Sequence, residues 1–318
     1  SLPWWMAGWF LALLILEHVN QEAMRLLIAA SEPFWANIVL FLRQGSWALV
    51  VVAVMFFDDS MHNLEFVFAA WTLGGVLALF LAMWRFVLMR TAGWRQRVDW
   101  FWIAKGIKVA LPLLVATLAV RGLFTFDRYW LESLAGLEVL GAYVLFVGLA
   151  NAMGAFLEAG VYAFIYPGLI KAYQQADTAA FRLGMRRLWQ QTIALAVVFS
   201  LVVMGLIGPL LDWLDRPLYR EHQGLFPWVL LAMVLYQISM IAHYGLYAQR
   251  RDGAIIHSHI AALLVFVPAT WFLLDHWSAL AVPIGMSVAF SLMLVWKTAA
   301  YIWLTPVQYR YNSPASGV

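Results

Sequence analysis

Apolar residues fall in long continuous runs along this chain, separated by short polar breaks. The runs do not alternate residue by residue, as the strands of a barrel would over roughly ten residues. Each is near the roughly 20 residues that a helix needs to cross the hydrocarbon of a bilayer. Nine spans are predicted, at 4–30, 34–57, 64–90, 103–130, 137–172, 187–211, 225–249, 253–274 and 278–304. The fifth is long for one crossing. It contains Gly141, Gly148, Gly154, Gly160 and Pro167, which predicts a bent helix that emerges on one side.

Composition supports the same reading. The 318 residues are 64% hydrophobic and 12% charged, with 18 Trp. A soluble domain carries about a quarter charged residues. There is no Cys, so disulfide and thiolate chemistry are excluded. The formal net charge of +3 matters less than its distribution.

One set of breaks holds Arg90, Arg95, Arg97 and Lys105, then Lys171, Arg182, Arg186 and Arg187, then Arg250 and Arg251, then Arg310. The other set reads DDSMHN at 58–63, DWLDRPLYREH at 212–222 and DHW at 275–277. Basic loops stay cytoplasmic. The C-terminus is therefore expected inside and the start of the chain outside. The chain opens on SLPWW, with no Met and no basic targeting segment. An outside start of this kind predicts that upstream spans are missing.

The first three spans and the last three share an outline. LEHVNQEAMRLLIA and LYQISMIAHYGLYA each place polar residues late in a span, followed by a turn, ASEP or QRRDG. A second span then ends in DDSMHN or DHWS. A third closes on Trp84-Arg85 or Trp296-Lys297. Internal repeats of this kind are typical of transporters.

Charged groups inside spans carry the candidate chemistry. On a helix, Glu17, His18, Gln21, Glu22 and Arg25 fall within roughly 140° of one face, and Asn20 sits apart. Such a stripe faces protein or water rather than lipid. The residues leave two readings open: pins between neighbouring helices, or the lining of a hydrophilic passage. In the fourth span Lys108 and Arg121 lie deep, and Arg suits phosphate because its fork binds two oxygens. Asp127 and Arg128 are expected to pair with each other at the outer interface as a structural pair. Glu158 and His243 are isolated polar residues in apolar context and are cavity candidates. His257 and His259 are expected at the cytoplasmic interface. Residues 90–105 alternate cations and aromatics and read as an amphipathic helix on the anionic leaflet. Residues 174–191 read as a second cytoplasmic linker. No HExxH, no phosphate-cradling Gly loop and no Ser-His-acid arrangement appears, so neither a metal, an ATPase nor any other cofactor is expected.

Residues 110–177 resemble the middle of polysaccharide flippases, the Wzx-like branch of the multidrug/oligosaccharidyl-lipid/polysaccharide (MOP) superfamily. A helix ends in Asp127-Arg128, a short loop leads to Gly141-x-Tyr143, and the next helix ends in Pro167 and an acidic residue, Asp177. The resemblance implies an all-α membrane protein, its about nine helices matching helices 4–12 of a two-lobe MOP-type transporter. Residues 1–90 would be a partial N-terminal lobe, 91–102 an amphipathic cytoplasmic linker, 103–304 a six-helix C-terminal lobe and 305–318 a cytoplasmic tail. It implies a multi-pass protein of the bacterial inner membrane that moves a lipid-linked (polyprenyl-diphosphate) oligosaccharide by alternating access. Membrane lipids and a coupling ion, H+ or Na+, are the other implied partners; nucleic acid is not. Glu17, His18, Gln21, Glu22, Arg25, Lys108, Arg121, Glu158 and His243 would line the substrate passage. Other readings remain beside this one: an exporter of small drugs or of the peptidoglycan precursor, a multi-span glycan-assembly enzyme, and a structural membrane subunit. An enzyme of that kind needs a sizeable outer loop, and 212–224 is short for it.

Overall fold

The computed structural model describes residues 4–30, 32–89 and 97–310. Among them are no strands, and the chain divides into two compact units, Ser1–Val98 and Asp99–Val318.

The first unit holds α1 (Ala7–Ala29), α2 (Pro33–Leu40), α3 (Trp47–Phe57) and α4 (Leu64–Leu88). α2 and α3 are one apolar segment interrupted by a π-helical turn at Phe41–Ser46. α1 packs on α2 and α4, and α4 also packs on α3. Small residues permit this closeness, as between membrane helices generally. A Cβ on Gly74 would stand 2.8 Å from the Leu42 carbonyl oxygen, and one on Gly75 would meet the Leu16 side chain. Asn20 Nδ2 uses the opening and donates to the Gly75 carbonyl at 2.9 Å. Asn20, expected to sit apart from the polar groups, is thus fully buried on the packing face with Leu13, Ala23 and Leu27. At the turn before α4, Asn63 caps the helix by accepting from the Phe66 N–H at 2.8 Å. There the Ser60 hydroxyl and N–H both donate to Asp58, which holds its carboxyl below the ordinary carboxylate range. The Ser31 turn, residues 90–96 of the amphipathic stretch and residues 311–318 of the tail lie outside the described residues.

The second unit holds α5 (Trp100–Leu157), α6 (Ala163–Gln174), α7 (Thr178–Leu214), α8 (Pro217–Glu221), α9 (Phe226–Ala248), α10 (Asp252–Trp277) and α11 (Ala281–Leu304). α5 is formally one helix, but Gly136 sits at φ 86°, ψ 174°, a conformation only glycine adopts readily. Tyr143 and Asp127 hydrogen-bond across this point. In a straight helix sixteen residues would separate them by about 24 Å. The chain therefore reverses at Gly136, and α5 is two crossings. A second π-helical turn, Glu158–Tyr162, joins its second leg to α6.

α9, α10 and α11 form the densest part of this unit, with α11 packed on both others. The last helix of the first unit, α4, likewise packs on α1 and on the α2–α3 segment before it. Residues 174–191, expected as a linker, are mostly the first turns of α7. The acidic residue Asp177 caps that helix by accepting from the Ala180 N–H at 2.9 Å. Where α7 meets α8, Asp212 pairs with Arg220.

Among the described residues, seven helical segments are long and apolar enough to cross a membrane. α1 has the length but carries Glu17, Glu22 and Arg25, and the α5–α6 segment counts once although it crosses twice. With both considered, the described residues form the expected nine crossings. The protein is an all-α, multi-pass membrane protein.

Candidate functional site

In the first unit, the face of α1 that packs on α4 is apolar except for Asn20. Glu17, His18, Gln21, Glu22 and Arg25 lie away from it. Glu17 is at the edge, where Arg43 Nε comes within 3.2 Å. Arg43 is 4% exposed, because the π-helical turn Phe41–Ser46 carries it inward. Glu22 and Arg25 pair with each other at 2.5 Å on the exposed surface, His18 is exposed and Gln21 half-buried. Part of the stripe therefore pins helices and part presents charge outward. Near the end of α4, Arg85 pairs with Glu32 at 2.5 Å and lies 5.4 Å from the centre of the Trp35 ring.

The second unit contains a polar cavity of about 640 Å³. Three helical stripes build its wall, each at the three-to-four-residue spacing that keeps side chains on one face. The first leg of α5 gives Thr117, Arg121, Thr125 and Arg128. The second leg gives Asn151 and Gly154, and Glu158 and Tyr162 follow from the π-helical turn. α9 gives Tyr236, Gln237 and Met240. A Cβ on Gly154 would come within 2.6 Å of Gln237 Nε2, so glycine there leaves room for the amide. Tyr162 donates to the Gln237 carbonyl at 3.2 Å, and Tyr244 donates to Glu158 Oε2 at 3.2 Å.

His259, from α10, completes the wall. It is buried, not interfacial as expected, because its Nδ1–H donates to the Ala116 carbonyl of α5 at 3.2 Å. The His243 ring stacks on it, centroids 5.9 Å apart and planes 12° apart. Lys297 of α11 lies within electrostatic reach of both rings. The expected Trp296-Lys297 ending is likewise different: Trp296 is exposed, whereas Lys297 is fully buried. Its Nζ, His243 Nδ1 and His259 Nε2 are buried without hydrogen-bond partners among the described residues.

The expected Asp127–Arg128 pair takes another form. Adjacent helical residues point about 100° apart. Asp127 turns inward, fully buried, and accepts from the Tyr143 hydroxyl at 2.7 Å. Arg128 reaches it with its backbone N–H at 2.7 Å while its side chain lines the cavity.

Of the sequence candidates in this unit, Arg121 and Glu158 share the cavity and His243 backs its wall. Lys108 is exposed on α5, about 20 Å before Arg121 and outside the wall. Sequence reasoning missed Arg43, Tyr162, Gln237 and Lys297 as site residues and misplaced Arg128 and His259. Lys297 carried a signal: a single ionisable residue two turns from the end of an apolar helix.

Neither a protein-family model nor a curated protein matches the sequence. Solved structures do match. One is a multidrug resistance MATE family transporter of the MOP superfamily in an outward-facing conformation, 15% identical, with a TM-score of 0.67 over 89% of this chain and 64% of that one. MATE in complex with MaD3S matches with the same values. MATE in complex with MaD5 is 15% identical, with a TM-score of 0.65 over 90% of this chain and 66% of that one. The chain thus shares its fold with these transporters, and it spans 64–66% of the length of the transporters it matches.

Proposed function

We propose that the protein is a flippase that moves a lipid-linked, polyprenyl-diphosphate oligosaccharide across the bacterial inner membrane by alternating access, in polysaccharide or lipopolysaccharide biosynthesis. The observation that carries this reading is the pair Arg121 and Arg128 on one stripe of α5, facing a polar cavity of about 640 Å³. Two guanidinium forks a helical turn or two apart suit the oxygens of a diphosphate. Asn151 and Gln237 offer amides to sugar hydroxyls. In the first unit, the outward charges Glu22 and Arg25 are a second polar surface for the headgroup. The lipid tail stays in the bilayer, and in this reading the basic loops and the C-terminus are cytoplasmic. The residues 1–90 and 103–304 act as lobes of the transporter in this reading, and a coupling ion drives it.

The test is movement of a fluorescent polyprenyl-diphosphate oligosaccharide between leaflets of proteoliposomes. Movement above protein-free controls, lost in Arg121→Ala and Arg25→Ala with insertion intact, is the expected result. No movement with several glycan headgroups overturns the proposal.

A second reading rests on Glu158, a carboxylate set among Tyr162, Tyr236 and Tyr244 around the same cavity. Aromatic faces with one acid suit an organic cation. Efflux of a cationic dye, lost in Glu158→Gln but retained in Arg121→Ala, would select this exporter reading over the flippase.

A further inference from the structure

We propose that His259, backed by His243 and Lys297, is a proton-binding site whose occupancy is linked to anion binding in the cavity of the second unit. The proposal rests on the anionic-headgroup reading above and adds to it a second, co-bound species.

Each of the three helices α9, α10 and α11 brings one base to the cluster. His259 donates from Nδ1 to the Ala116 carbonyl, which can only accept. In the neutral ring Nε2 is therefore a bare lone pair, and it is buried and unpartnered in a residue of the cavity wall. His243 stacks on that ring with its own Nδ1 unpartnered, and the Lys297 ammonium, 0% exposed, has no acceptor.

Among the described residues, no carboxylate pairs with these groups. On the cavity wall the other charges are Arg121, Arg128 and Glu158, and Glu158 is engaged by Tyr244. Tyr162 and Tyr236 offer hydroxyls. On α5, Asp127 is taken by Tyr143. On α10, His257 is exposed and Asp252 lies in the first turn, about 10 Å along the helix from His259. The remaining charges of α6 and of the start of α7, Lys171, Arg182, Arg186 and Arg187, are cations.

Three bases in one dry place cannot all be charged, and a buried cation without a counter-charge is costly. An anion beside His259 supplies that counter-charge. A proton from solvent then settles on His259 Nε2, and the imidazolium in the cavity wall offsets the charge of the anion. When the anion leaves, the proton returns to solvent. Anion and proton each favour the other's binding, as linkage requires.

The test is titration calorimetry on the full chain in lipid nanodiscs. Inorganic pyrophosphate and farnesyl diphosphate are titrated separately, in buffers of different ionisation enthalpy, over about pH 5 to 8. The expected result is uptake approaching one proton per anion, with affinity falling about tenfold per pH unit once the cluster is deprotonated. His259→Gln should remove the uptake, and Lys297→Met should move it to higher pH by relieving like-charge repulsion, each in protein that still melts cooperatively. Tighter binding of farnesyl diphosphate than of pyrophosphate would mark a lipid headgroup as the source of the anion, and equal binding a free phosphate. Anion binding without proton uptake, or with the same uptake in both variants, overturns the inference and leaves the anionic cavity standing. No binding of either probe overturns both. Should the variants fail to fold, the buffer dependence of the unsubstituted protein decides alone.

Discussion

The Tyr143 hydroxyl donates to the buried Asp127 carboxylate at 2.7 Å, across the reversal of α5 at Gly136. Asp127 also accepts from the Arg128 N–H, so both of its oxygens are engaged. The bond ties two crossings together near the reversal and explains why an acid can be fully buried there. Tyr143→Phe strips one partner from that carboxylate. The expected loss is about 1–3 kcal/mol of stability, read as a lower thermal midpoint in detergent. An unchanged midpoint would show that Asp127 finds another donor.

Glu17→Gln removes the charge opposite Arg43, which stays 4% exposed. Breaking a buried pair from one side leaves an uncompensated charge. Glu17 is itself 25% exposed, which softens the effect to about 1–3 kcal/mol. Glu22→Gln breaks an exposed pair and should cost under about 1 kcal/mol. Thermal unfolding of the two variants side by side checks the order. Equal effects would mean that the Glu17–Arg43 contact pins nothing.

Gly74→Ala should destabilise by about 1–3 kcal/mol, because the new Cβ meets the Leu42 carbonyl oxygen at 2.8 Å, a backbone atom that cannot swing aside. Gly148→Ala has nothing within 4 Å and lies in a helix, so it should be neutral or stabilise by up to about 1 kcal/mol. Cooperative melting of both proteins distinguishes them.

Lys297→Met replaces a buried, unpartnered ammonium with an apolar side chain of similar length. Such replacements are commonly neutral or stabilising. The thermal midpoint should hold or rise while transport falls, the trade expected where a site is kept for function rather than stability. A clear loss of stability would point to a structural partner for Lys297.

The apolar runs by themselves determined the crossings. A helix satisfies its own backbone hydrogen bonds, so its location in lipid depends on local composition, and residues 64–90 or 278–304 need no partner to declare themselves. The same locality made the stripe on α1 legible, since Glu17, Gln21 and Arg25 share a face by helical spacing alone. What each polar residue touches was decided elsewhere. Asn20 is buried because Gly75 lets α1 approach. Arg43 turns inward because a π-helical turn shifts its register. Arg128 lines a cavity because Tyr143, beyond the reversal at Gly136, claims its neighbour Asp127. His259 read from the sequence as an interfacial group, and Lys297 as half of a Trp-cation pair that closes a span. Only the packing of α9, α10 and α11 brings them with His243 into one buried cluster, because that neighbourhood depends on contacts between residues far apart in the chain.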